Sequence, residues 1–321
     1  MSALPFNEHF ENASRCIFGT MNLGGGWNSN PVTKEDESQA HHLLETCIEA
    51  GINVIDLADI YTFGKAEEVM GRVFKKNKHF VDHFIIQSKI GIRLVPDVNT
   101  KHYDLSPRWV TEAVHASLKR LNIEQLDVLF LHRPDPLMQI EKTAETLNNL
   151  YKQEKFEYLA VSNMHAGQTA LIQNHVEMPV IANQLEMSLL ASDFVEDSIT
   201  SNMQANTNQG FPRGTLEYCL QQKIQLQAWS ALAQGQFGNT EHPDKAVRDT
   251  ANLLAQLAEN LNTNVNALVL AWLMKHPTGI QPVIGSTKPE RILEAAKAGK
   301  LELSREQWYQ ILETRRGEAV P

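Results

Sequence analysis

The sequence predicts a single (β/α)8 barrel, and three observations carry that prediction. Short apolar runs rich in β-formers alternate with longer segments of helical period, eight such runs are found, and 321 residues suit one closed barrel. No linker or internal repeat beyond this alternation divides the chain, so residues 1–321 read as one domain. Arg15–Phe18 reads as the first strand and ends at Gly19-Thr20. Thr33 is placed to N-cap a helix carrying Ala40, Leu43, Leu44, Cys47 and Ile48 on one face, with Gly51 at its C′ position. Ile52–Asp56 is the second strand, a helix covers Ala66–Phe74, and Phe84–Ser88 is the third strand.

Ser106 followed by Pro107 is an N-cap with proline at the first helical position, and that helix runs to about Leu121. Leu126–Leu131 is then a strand, Ile140–Gln153 a helix and Tyr158–Val161 a strand. Helices near Ala166–Asn174 and Gly214–Gln221 precede strands at Val180–Asn183 and Ile224–Trp229. Lys245–Lys275 reads as two helices broken near Asn262-Thr263, and Gln281–Ile284 is the eighth strand. The Ser-, Asn- and Gln-rich stretch Ser188–Phe211 reads as a long loop on the C-terminal rim.

Composition is that of a globular protein, 42% hydrophobic and 21% charged. The net charge of −9 argues against generic attraction to nucleic acid or anionic membrane. The most continuous apolar run, Ala267–Met274, is too short to span a bilayer, and no basic region followed by an apolar stretch marks a secretory signal. Cys16, Cys47 and Cys219 form no CxxC pair, which suggests neither a zinc site nor a disulfide framework. A cytoplasmic enzyme with buried thiols is the expectation.

In such a barrel the reactive groups stand where strands end. Asp56 ends the second strand and Tyr61 follows five residues later; Lys89 ends the third strand and His132 the fourth. These side chains suit proton delivery to an oxygen. A phenol titrates near pH 10 when unperturbed, and a neighbouring ammonium favours its ionised form. Asp56 would keep Lys89 charged and oriented, while His132 would donate a second hydrogen bond to a carbonyl oxygen acquiring alkoxide character. Taken singly, each has a structural explanation: a turn cap for Asp56, packing for Tyr61, solvent contact for Lys89, a satisfied core histidine for His132. One mechanism uses all four. A metal-dependent barrel hydrolase would want clustered ligands such as HxH after the first strand; that strand ends in Gly-Thr, His41-His42 lies in a helix, and no metal is expected.

The run from Gly51 to Tyr61, with Gly64 and Glu67 following, resembles the aldo-keto reductase signature around its catalytic aspartate and tyrosine. Gln87-Ser88-Lys89 is similar to that superfamily's lysine strand, and Asp127–His132 to its histidine strand. The segments His132–Met138 and Trp229–Leu232 look closest to the bacterial YdhF-type oxidoreductases. The likeness covers essentially the whole chain and implies NADP(H) extended across the barrel rim, with NAD(H) not excluded. Gly24-Gly25-Gly26 lacks the dinucleotide fingerprint spacing, which weakens a Rossmann reading only.

Carried over position by position, the resemblance assigns Ser162, Asn163 and Gln184 to the carboxamide and Trp229 to stacking on the nicotinamide. Gly19, Thr20 and Met21 after the first strand, and Ser230, Leu232 and Gly235 after the seventh, fall on the cofactor's path. Gly285, Ser286, Thr287, Lys288, Arg291 and Glu294 match the site for the adenosine end and its 2′-phosphate. Gly285 replaces a frequent lysine and Ala295 a frequent asparagine, and Lys288 is placed to supply the missing charge.

The implied activity is NADPH-dependent reduction of an aldehyde or ketone with Tyr61 as general acid. The alternative is a nicotinamide-nucleotide-sensing subunit with little turnover. Specificity is expected from rim loops at Asn22–Asn30, Arg93–Tyr103 and Ser188–Arg213, with Trp27 lining the substrate pocket or plugging the barrel. A helix near Gln307–Arg315 leaves little chain after it, so a short or absent C-terminal loop and an open pocket are expected.

Overall fold

Eight parallel strands close on themselves in sequence order in the computed structural model, which describes residues 4–95, 100–201, 203 and 210–321. The strands are β1 (Ile17–Gly19), β2 (Val54–Asp56), β3 (Ile85–Ile90), β4 (Leu126–Leu131), β5 (Phe156–Ser162), β6 (Val180–Glu186), β7 (Gln225–Trp229) and β8 (Gln281–Ile284). Closure comes from β8 on β1, with Ile17 opposite Val283 and Phe18 opposite Ile284. The (β/α)8 prediction therefore holds. The first strand starts two residues later than expected and includes Gly19, whose added Cβ would lie 2.9 Å from Val283 Cγ1.

Local chemistry explains the helix starts. Thr33 accepts from the Asp36 amide and Asp36 reaches back to Thr33, a capping box opening Lys34–Glu49. Ser106 caps Pro107–Leu121, with proline at the first helical position. The long helical stretch breaks as expected, into Lys245–Asn260 and Val265–Met274, the second capped by Asn264. Among the described residues no helix is long and apolar enough to cross a membrane.

Two rim segments differ from expectation. Arg93–Tyr103 is not a plain loop: Ile92–Val95 and Thr100–Tyr103 pair as an antiparallel hairpin, with Arg93 on Asp104 at 2.9 Å and over the Trp109 ring. The alternation that marks such a hairpin is masked in sequence by the charged residues on its exposed strand. Ser188–Phe211 is not all loop either, because Asp193–Ile199 is helical; positions 96–99, 202 and 204–209 lie outside the described residues.

Two apolar layers hold the barrel. The outer one lies between strands and helices, and the closest approach at any of its glycines is at Gly71, where a Cβ would sit 1.9 Å from the Arg120 carbonyl oxygen. This brings helix Lys65–Lys76 directly against the end of Pro107–Leu121. The inner layer comprises Ile17, Val54, Val128, Phe130, Ala160 and Ala182, with Leu4 and Phe6 from the N-terminal segment beneath it. Phe6 is fully buried, and its amide donates to Gln225 Oε1 at the start of β7. The N-terminal segment thus stoppers the end of the barrel opposite the reactive rim.

Candidate active site

Strand periodicity sets the site. Side chains two apart share a face, so β2 and β4, which turn Val54, Val128 and Phe130 into the barrel, also turn Asp56 and His132 inward at their upper ends. Lys89 follows the same rule on β3. Its Nζ donates to Asp56 Oδ1 at 2.5 Å, Leu57 O at 2.9 Å and Tyr61 Oη at 3.2 Å, so all three ammonium protons have acceptors. Tyr61 begins a short 3-10 turn, Tyr61–Gly64, whose Thr62 hydroxyl donates to Leu23 O at 2.8 Å. Thr62 and Phe63 are held at φ of 48° and 61° there, a left-handed bend that brings the phenol back over the barrel. The His132 ring meets Tyr61 edge to face, centroids 6.0 Å apart.

Burial and charge pull against each other in this cluster. Burial raises the Tyr61 phenol above its ordinary range while the Lys89 ammonium draws it back, so lysine here moderates the desolvation without reversing it. Burial lowers Lys89, but Asp56 and Tyr61 outweigh it and the ammonium is held above its usual range. Burial, together with Lys89, Arg133 and Lys101, depresses His132 well below the normal histidine range. The imidazole is therefore neutral near neutral pH and suited to donate a hydrogen bond rather than a full charge.

Sequence reasoning missed a second tier beneath the four residues. Gln87 and Gln184 both donate to Asp56 Oδ1, at 2.7 and 2.9 Å, and both donate to Gln227 Oε1, at 2.9 and 3.0 Å. Gln227 returns a bond to Gln87 Oε1 at 3.0 Å. The signal was present: Gln87 precedes Lys89, and Gln227 precedes Trp229, by the two-residue step that shares a face. Also missed was the brace behind Lys89, where Glu67 accepts from Ser88 at 2.6 Å and Arg120 at 2.7 Å. Asp59 beside it is held far above the carboxylate range by burial and by Glu67.

The rim residues are spread from β1 through β8. Thr20 is buried and donates to Asp56 O at 2.9 Å, while Met21 is exposed. Ser162 donates to Gln184 O and accepts from Asn163, and Asn163 Oδ1 accepts from Trp229 Nε1 at 3.0 Å. Asn163 and Ser230 adopt φ of 58° and 59°, turning the chain sharply where β5 and β7 end. Trp229 and Asn163 line a cavity of about 290 Å³ with Arg133, Glu186 and Asp193. Gly235 and Gly285 face open space, with no atom within 4 Å of an added Cβ at the first and only Gly19 O at 4.0 Å at the second. Ser286 accepts from the Lys288 amide just before helix Pro289–Ala296, and Glu294 lies on that helix beside Ala295. Lys288 and Arg291 are exposed and form no ion pair with any described residue. Trp27 is 45% exposed and edge-on to Phe63. Among the described residues no cluster of ligands suits a metal ion.

The residues fit an extended dinucleotide: uncompensated cations at a helix start, glycines opening onto space, and polar side chains beside an aromatic ring. The closed barrel is a fold shared with solved structures. An aldo-keto reductase from Klebsiella pneumoniae, solved in complex with NADPH, superposes with a TM-score of 0.69 at 23% identity, covering 92% of this chain and 89% of that one. A 6-dehydroglucose reductase from Novosphingobium aromaticivorans is 32% identical over the full length of both chains. Oxidoreductase YdhF from Escherichia coli is 30% identical over 87% of this chain and 88% of its own. Residues 15–316 match the model of the Aldo/keto reductase family, and the chain belongs to that family. It is an NAD(P)H-dependent oxidoreductase of the kind that acts on small carbonyl compounds.

Proposed function

We propose that this enzyme reduces an aldehyde or ketone to the alcohol with NADPH, Tyr61 supplying the proton. The observation that carries the reading is Lys89 Nζ, held by Asp56 at 2.5 Å and bonded to Tyr61 Oη at 3.2 Å inside the barrel. Bound NADPH supplies the hydride. Tyr61 donates its proton to the carbonyl oxygen, and the phenolate left behind is stabilised by the Lys89 ammonium until a solvent proton replaces the one given up. Neutral His132 offers the same oxygen a second hydrogen bond, which strengthens as negative charge develops there. Asp56 keeps the ammonium charged and aimed.

For the cofactor, Trp229 would stack on the ring, and Ser162, Asn163 and Gln184 would hold the carboxamide. Gln184 Oε1 takes no hydrogen bond from any described residue, which leaves it free to accept one. Gly19, Thr20, Met21, Ser230, Leu232 and Gly235 would follow the backbone of the dinucleotide. Lys288 and Arg291, lacking carboxylate partners, favour the 2′-phosphate and so NADPH over NADH, with Ser286 and Thr287 beside them. Trp27 and Phe63 would wall the substrate side.

The test follows loss of NADPH absorbance with a panel of aldehydes and ketones. 6-Dehydroglucose heads the panel because a relative at 32% identity carries that compound in its name. Turnover that disappears in Tyr61→Phe supports the reading; undiminished turnover in that variant removes the proton donor. Tight NADPH binding with no turnover across the panel would favour the nucleotide-sensing alternative.

A further inference from the structure

We infer that Gln87, Gln184 and Gln227 form an amide cage that holds Asp56, and through it the Lys89 ammonium, in register with Tyr61; Gln87 and Gln227 are positioning residues for the reduction. The inference rests on the reading of Tyr61 as proton donor. Barrel interiors of this kind are ordinarily filled by branched apolar side chains. Here β3, β6 and β7 each place a glutamine at the same depth, with exposures of 0% for Gln87 and Gln227 and 2% for Gln184. Burying amides costs free energy unless each finds partners, and these find them chiefly in one another and in Asp56.

The network has one orientation. A carboxylate only accepts, so Gln87 and Gln184 must turn their NH2 groups toward Asp56 Oδ1. Their second N–H groups then both point at Gln227, which must present its oxygen, and its own NH2 is left to donate to Gln87 Oε1. A single charge thereby orders three side chains from three strands.

The chemical consequence concerns where one proton sits. A buried ammonium and carboxylate this close can collapse to a neutral amine and acid by passing the proton across. Two amide N–H groups on Asp56 Oδ1 favour the carboxylate, so the proton stays on Lys89 and the third ammonium N–H stays on Tyr61. The other ionisable groups around Tyr61 are Asp59 and His132, with Glu67 and Arg120 beyond the first and Arg133 and Lys101 beyond the second. None of them hydrogen-bonds to Gln87, Gln184 or Gln227.

Gln87→Met keeps the side-chain volume and removes the hydrogen bonds. The expected result is a rise of about one unit in the pH at which reduction falls off on the alkaline side, because the phenol loses part of its cation. With it kcat falls about tenfold or more while KM and NADPH affinity hold. Gln227→Met, which does not touch Asp56, should shift the same limb in the same direction by less. A tyrosinate difference titration against Tyr61→Phe reads the shift without turnover, and serves with Gln227→Met if Gln87→Met does not fold. An unmoved alkaline limb and titration in both variants overturn the cage, even with a reduced rate. If Tyr61→Phe itself remains active, the reading of the site fails instead.

Discussion

Replacing Lys89 with methionine separates the charge of the buried pair from its packing. The ammonium is fully buried and lies 2.5 Å from Asp56 Oδ1, so Lys89→Met keeps the volume but strands a carboxylate inside the barrel. Breaking a buried pair from one side costs about 3–5 kcal/mol. Gln87 and Gln184 still donate to Asp56 in the variant, which places the expected loss near the lower end, about 3 kcal/mol. Adding Asp56→Asn removes the stranded charge while keeping an oxygen for both glutamines. The double variant should therefore regain about 2 kcal/mol over Lys89→Met alone, although neither turns over. Urea denaturation followed by tryptophan fluorescence measures both. A double variant no more stable than Lys89→Met would show that uncompensated charge is not what the lysine relieves.

Four further outcomes follow from other parts of the molecule. Arg291→Ala should weaken NADPH about tenfold or more and leave NADH unchanged, as measured by quenching of protein fluorescence; equal losses for both would place the phosphate elsewhere. Gly71→Ala, whose methyl would lie 1.9 Å from the Arg120 carbonyl oxygen, should cost about 3 kcal/mol or more in thermal or urea unfolding, and a loss under about 0.5 kcal/mol would contradict the packing. His276 is depressed by burial from 6.5 to about 4, so below pH 6.5 the unfolded chain takes up a proton the native one does not. Its contribution is present above 6.5 and lost as pH falls toward 4, at most about 3 kcal/mol, and His276→Gln should flatten that part of the stability profile. Asp59 has the opposite sign: its folded pKa is raised, so its stabilising contribution is lost as pH rises, and Asp59→Asn should gain stability relative to the parent from pH 5 to pH 8.

Most of the barrel was legible because its signals are local. Ser106-Pro107, Thr33 and the apolar runs Leu126–Leu131 and Gln281–Ile284 each mark an element boundary within a few residues, and all appear in the structure at or next to those positions. The clustering of the four candidate residues was legible for a related reason: strand ends place them on one rim without any long-range information. The cage was not, since Gln87 and Gln227 are 140 positions apart and meet only across the closed barrel. Gln184 was read only as a partner for the carboxamide, whereas its nitrogen is committed to Asp56. The hairpin at Ile92–Val95 was hidden because its partner strand Thr100–Tyr103 is polar and mostly exposed, so no apolar alternation marks it.

The stoppered lower end of the barrel has a consequence for the traffic of small species. With Phe6 seated beneath Ile17 and Val54, the enclosure is a cup rather than a tube. On the function proposed above, water, substrate and the proton that recharges Tyr61 would then share one mouth. While a carbonyl compound and the nicotinamide filled that mouth, the phenolate would stay as it is. Recharging would therefore belong after the alcohol leaves, and a slow-leaving product would delay the next proton as well as the next substrate.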